Sequence, residues 1–398
     1  MAFPKSVVVL AIDRLGAAWL GPYGNTWLDT PNFNQLAVRS TLFETAITAA
    51  PDLSQAYRTL WTGRHVWDSK LAAEPTLPAA ATANGSAILL TDDESVAKHE
   101  LATHFSEIHF ERPGKIEKNA LSVEQTDLFG FFEAACELVG NPNRPNLIWL
   151  HSRGMSGPWD APLEFRQRFA DDDDPEPLAF VSPPEKQLNE QYDPDEVLGY
   201  VQAYAGQIAL TDLCLGMLLE TLDSHPLAAE TLFAILSPRG YPLGEHRRVG
   251  QCDNALYGEL VHVPLVVRFP QDRHRLGRNR QIAQLHQVLR SLVTDNSDIV
   301  QRNIGPRPEP RAAFAIGVDQ RAIRTPAWFL RESTNEGKPN HELFAKPDDR
   351  FEVNEISSRC GDVVELLAAE LDRFAAAAAS GELPESPQLA EVLYDTWR

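Results

Sequence analysis

Short apolar runs alternate along this chain with segments of helical period. Val7–Ile12, Ala87–Leu90, Leu147–Leu150, Leu232–Leu236 and Val263–Phe269 are apolar at successive positions. A strand reads this way when helices cover both faces of its sheet. Between the fourth run and the third, Val197, Val201, Tyr204, Ile208, Leu215, Leu218 and Leu222 form one stripe of a helix over residues 194–222. Asp193 before Pro194 supplies its N-cap, with proline in the first turn. The βαβα order predicts an α/β fold, a mostly parallel central sheet with helices on both faces.

Two polar stretches break this order. Residues 164–192 contain Asp171–Asp174 and read as a hydrated loop, with a bound cation as the alternative. Residues 300–311, rich in Arg and Pro, read as a linker. Beyond it come strand-like pieces at Arg321–Arg324, Trp328–Arg331 and Glu342–Ala345, then a helix from Asp362 to Ala378 that Gly381 can end. The expected organisation is a core over residues 1–299, the linker 300–311, and a small C-terminal subdomain over 312–398 packed on the core. No internal repeat is visible.

Composition narrows the function. The 398 residues carry 36 Lys and Arg against 56 Asp and Glu, a net charge of −20. This opposes binding to nucleic-acid phosphates, which needs cations to displace counterions, and opposes adsorption to anionic membranes. No run approaches the ~20 apolar residues of a membrane span. Cys136, Cys214, Cys252 and Cys360 are scattered without a CxxC pair and read as reduced thiols. The first apolar run ends in Asp13-Arg14 rather than in a cleavage site, so a cytoplasmic location is expected.

The first run leads through Asp13-Arg14-Leu15-Gly16 to Leu20-Gly21-Pro22-Tyr23-Gly24 and then Thr30-Pro31-Asn32. With Arg58 and Thr62-Gly63-Arg64-His65, His151–Pro162, Ser237–His246, Val263-Pro264-Leu265 and Glu342-Leu343-Phe344, this order resembles the sulfatase family of the alkaline phosphatase superfamily. The resemblance implies that family's fold, with a small C-terminal antiparallel strand and helix subdomain. It implies sulfuric ester hydrolysis at a centre built from calcium or magnesium and a formylglycine nucleophile.

The residues that such a centre needs are largely replaced. Asp13 is the one surviving ligand candidate, either a ligand or a cap of the following turn. The nucleophile segment reads Ser54-Gln55-Ala56-Tyr57-Arg58, with Ala56 where the family has proline. Ser54 is a plain hydroxyl nucleophile or the N-cap of a helix from Gln55. The family's metal-binding Asp-His-Gly reads Pro238-Arg239-Gly240, and neither Pro nor Arg ligates a dication. Ser156 stands where an imidazole would protonate the leaving group, and Asp253 stands where a Lys would meet sulfate. His246 keeps its place in Gly-Glu-His and either faces the pocket or is structural.

Two functions follow. One is a sulfatase-like protein without ester hydrolysis, needing no cofactor, whose partner is an anionic or carbohydrate small molecule or another protein. The other is an active sulfate or phosphate ester hydrolase with a rebuilt centre using Ser54, Arg58, His246 and Asp13. Under the first, Arg239 takes the place of the metal within ~4 Å of Asp13; otherwise it points to solvent.

Overall fold

A computed structural model describes residues 6–70, 75–83, 85–250, 255–270, 277–293, 312–335, 337–381 and 389–395. The central sheet runs in the order Arg278–Gln284, Thr41–Ile47, Leu265–Arg268, Thr231–Leu236, Ser6–Ile12, Leu147–Ser152, Ala87–Thr91, Glu107–Phe110. Ser6–Ile12 pairs in parallel with Leu147–Ser152 on one side and Thr231–Leu236 on the other. The mostly parallel α/β architecture expected from the alternation is therefore present.

Every residue of Ser6–Ile12 is buried, because its two faces serve two separate cores. Val8, Leu10 and Ile12 pack with Phe233 and Leu150 under the helix Pro194–Ser224. Val7, Val9 and Ala11 face the opposite way, onto Trp149, Tyr57 and Leu289. Full burial of each large side chain here contributes roughly 1.5–3 kcal/mol, which is why Val7–Ile12 is apolar throughout, while the buried Ser6 hydroxyl donates to Pro145 O.

Some elements differ from the sequence reading. Val263–Phe269 is not one strand. Pro264 has no N–H to donate, and the chain splits into His262–Val263 and Leu265–Arg268. The second piece lies antiparallel between its neighbours. Thr41–Ile47 and Arg278–Gln284 escaped notice because Glu44 interrupts the first and the second carries edge polarity. The helix Pro194–Ser224, capped by Asp193 as expected, departs from the expectation that no segment is apolar enough to span a membrane. By length and composition it is, yet 67% of that window is buried inside the protein. Asp171–Asp173 are exposed, and the Asp171 N–H donates to Asp174 Oδ2.

Ala313–Gly317, Gln320–Arg324, Trp328–Asn335 and Lys338–Ala345 form an antiparallel meander. The helix Gly361–Ser380 covers it through Leu367, Leu371 and Phe374 and ends at Gly381. This sheet is fixed to the core by an Ile316 N–H bond to Ala49 O and by a shared cluster of Ile47, Leu256, Phe329 and Phe344. The expected linker, residues 300–311, lies outside the described residues, as do Cys252 and Asp253.

Candidate functional site

Asp13 follows the strand Ser6–Ile12 at the carboxyl edge of the sheet, where open α/β sheets place their sites. The loop after Leu147–Ser152 presses directly on it. A Cβ on Gly154 would come 2.4 Å from Ile12 Cγ2 and 3.0 Å from Asp13 O, so only glycine permits this approach. The Met155 N–H then donates to Asp13 O, and the Ser156 hydroxyl reaches Asp13 Oδ2 at 2.7 Å.

From the neighbouring strand, Thr231–Leu236, the chain passes through Ser237 and Pro238 to Arg239. Ser237 Oγ accepts from Leu15 N–H and donates to Arg239 O, tying the two strand ends together. Gly240 is held against the helix Gly258–Val261, where a Cβ would sit 2.0 Å from Glu259 O. This turn sends the Arg239 side chain back over Asp13. Nε donates to Oδ1 at 3.0 Å and Nη2 to Oδ2 at 2.9 Å, a fork on both carboxylate oxygens. Nη1 donates to Pro51 O.

Asp13 is fully buried and Arg239 is only 9% exposed. Burial raises the Asp13 carboxyl, but the charge and hydrogen bonds of Arg239, with Arg14 nearby, outweigh it and hold the pKa below the ordinary value. For Arg239, burial lowers the pKa and Asp13 more than restores it. The pair is charged at neutral pH.

Around it sits a second buried polar group. The Tyr57 hydroxyl and His151 Nδ1 lie 2.5 Å apart, while His151 Nε2 has no hydrogen-bond partner among the described residues. Burial pulls His151 down to about 4, so the ring is neutral. Burial also pushes Asp92 up to about 7, although it accepts from Arg153 N–H.

A sequence profile described as sulfatase matches residues 5–294. The chain belongs to the sulfatase family. Human arylsulfatase D is 36% identical over 72 residues, which span 18% of this chain and 12% of that protein. Phosphonate monoester hydrolase of Agrobacterium radiobacter superposes with TM-score 0.75 at 16% identity, covering 94% of this chain and 96% of that one. A 2-O GAG sulfatase superposes with TM-score 0.71 at 15% identity, covering 94% and 92%. At such identities the superpositions establish the fold alone.

In this sulfatase-family chain the candidate residues separate. Asp13, Ser156 and Arg239 converge, with Pro238 buried beside them. Ser54 does not cap its helix. The helix begins at Leu53, and the Asp52 carboxylate caps it by accepting from Gln55 N–H, leaving Ser54 exposed in the first turn. Arg58 is turned to Glu100 in an ion pair. His246 bonds through Nδ1 to Glu259 Oε1 at 2.8 Å and through Nε2 to Glu352 O at 3.0 Å, stacked on Tyr257. Burial lowers its pKa, but Glu259 and the Glu352 carbonyl raise it above the ordinary value. Both ring nitrogens face oxygen acceptors, an arrangement that favours the protonated ring, and His246 joins the helix Gly258–Val261 to the segment after Lys338–Ala345.

The residues at Asp13 do not fit the family's dication. Both its oxygens are occupied by a guanidinium and a hydroxyl, and a cation placed there would meet the fixed charge of Arg239. Among the described residues, no three His, Cys, Asp or Glu side chains are grouped to hold a metal. The sequence reading missed Asp52, Asp92 and Glu259. Of these, only Asp52 carried a signal, an Asp three residues before a helical Gln.

Proposed function

We propose that this sulfatase-family chain has exchanged its metal-dependent centre for an internal ion pair and does not hydrolyse sulfate esters. The observation that carries the reading is the Arg239 fork on Asp13. In an active centre a dication would neutralise carboxylates at this edge and lower the barrier to attack on an anionic ester. Here a side chain neutralises the one carboxylate, offers no open coordination position and activates no water. Ser156 cannot serve as a general acid near neutrality and instead donates to Asp13. Among the described residues no base reaches the Ser54 hydroxyl; His99 Nε2 meets the Ser54 backbone oxygen instead.

What remains is a folded scaffold suited to binding rather than hydrolysis. The test is metal content of the purified protein together with turnover of aryl sulfate and aryl phosphate, with and without calcium, magnesium or manganese. The expected result is no bound dication and no turnover above the Asp13→Ala variant. Cation-dependent turnover that Asp13→Ala abolishes would overturn the reading.

A further inference from the structure

Between the core and the C-terminal sheet lies a cavity of about 220 Å³. The core lines it with Trp19, Tyr241, Glu245 and Glu259, and the subdomain with Arg324 and Phe329. Lys346 and Glu352 also reach it, but they neutralise each other at 2.8 Å, and Glu352 accepts from Gly258 N–H as well. The other charges are not balanced this way.

Arg324 gives one guanidinium nitrogen to the carbonyls of Thr325 and Trp328 and makes no ion pair among the described residues. Burial pulls it down to about 10. Glu245 accepts from Leu243 N–H and likewise makes no ion pair among the described residues. Burial and the charge of Glu259 raise its pKa. Glu259 has His246 on one oxygen. Among the described residues, the cavity thus holds Arg324 and the exposed Arg350 outside ion pairs on its subdomain side, with Glu352 as the carboxylate that acts on Arg324, and the Glu245 and Glu259 carboxylates with His246 beside them on its core side.

We propose that this cavity binds a small zwitterion of amino-acid size, its carboxylate on Arg324 and its ammonium on Glu245 and Glu259. A half-buried charge with only part of its desolvation offset by neighbours gains when a ligand brings an opposite charge into contact. A simple anion would satisfy Arg324 but face the two carboxylates, and a simple cation would do the reverse. A ligand with opposite charges at its ends satisfies both, and the guanidinium fork matches a planar carboxylate. The aromatic walls accept an apolar side chain, and the volume lies below the roughly 300–1,000 Å³ of drug-sized sites. This inference does not rest on the loss of hydrolysis, because the cavity residues are not those of the Asp13 pair.

The experiment is calorimetric titration of the full chain with free phenylalanine, leucine and arginine, each beside its N-acetyl and its carboxamide form. At least one free amino acid is expected to bind one-to-one, and blocking either end is expected to weaken it at least about tenfold. Ala18→Trp, at an exposed position lining the cavity, should abolish binding with the melting temperature unchanged. Arg324→Gln should remove the difference between the free and carboxamide forms. No binding up to about 10 mM, equal binding of blocked forms, or binding that survives Ala18→Trp would overturn the proposal. Failure of the hydrolysis reading is seen separately, in metal content and ester turnover.

Discussion

Arg239 and Asp13, 226 residues apart in sequence, close two adjacent strand ends with a pair of hydrogen bonds of 3.0 and 2.9 Å. Removing either partner leaves the other charge buried and alone. Arg239→Ala and Asp13→Ala are each expected to destabilise the fold by about 3–5 kcal/mol in denaturant titration. The double variant should cost less than the sum of the two, because the penalty of each single is largely the stranded charge. Additive costs would show that the pair is not energetically coupled.

The divalent-cation prediction follows from the same pair. A ligand bound only by the folded state stabilises it by RT ln(1 + [L]/Kd), about 2.7 kcal/mol at a hundredfold excess over Kd. Thermal melts in millimolar calcium or magnesium are expected to show no saturable rise that EDTA reverses. Because the four carboxylates of Asp171–Asp174, three of them exposed, would attract cations nonspecifically, the control is a variant with all four changed to Asn.

The cap expected of Ser54 is supplied by Asp52, and the two positions should respond differently to substitution. Asp52→Ala is expected to cost about 1 kcal/mol, since the first turn loses its cap at Gln55 N–H. Ser54→Ala should change stability by less than about 0.5 kcal/mol, as an exposed position does. Peptide mass spectrometry should find an unmodified hydroxyl at Ser54.

His246 should give the protein a stability that falls on the alkaline side. Its folded pKa is raised above the ordinary 6.5, so its contribution is complete below that value. The contribution is lost as pH rises through the folded pKa. Denaturation midpoints of the parent should therefore fall more steeply than those of His246→Gln from about pH 6.5 upward. Parallel curves would place the imidazole outside the clamp formed with Glu259 and Glu352.

On the acid side the sign reverses. Burial holds His65, His151 and His262 at about 4, so the folded state keeps them neutral while the unfolded chain protonates. Stability should fall as pH drops from about 6.5 toward 4. Asp92 opposes this, since its folded pKa of about 7 favours the protonated fold at low pH. His262→Gln keeps a donor for Glu44 O and should flatten the slope by about one proton, roughly 1.4 kcal/mol per pH unit at most.

The sequence by itself determined the layers and the edge. Continuous apolar runs can bury both faces only inside a covered sheet, so Val7–Ile12 and Leu232–Leu236 specified a parallel, helix-sandwiched core. Motif order then put Asp13 and Arg239 at neighbouring strand ends, and the Asp193–Pro194 start of the long helix was legible from local chemistry alone. Side-chain direction was not. Whether Arg239 reached Asp13 or solvent depended on a turn that Glu259 O forces close to Gly240. The partners of His246 come from residues 13 and 106 positions away, a juxtaposition that no local pattern encodes. Tertiary packing also chose Asp52 over Ser54 as the cap, because the helix starts two residues earlier, at Leu53, whose side chain packs into the core. Arg324 and Glu245 line one cavity only because the two sheets pack together. Local propensity fixes what a segment becomes, whereas which charges face one another is set by long-range packing that periodicity does not record.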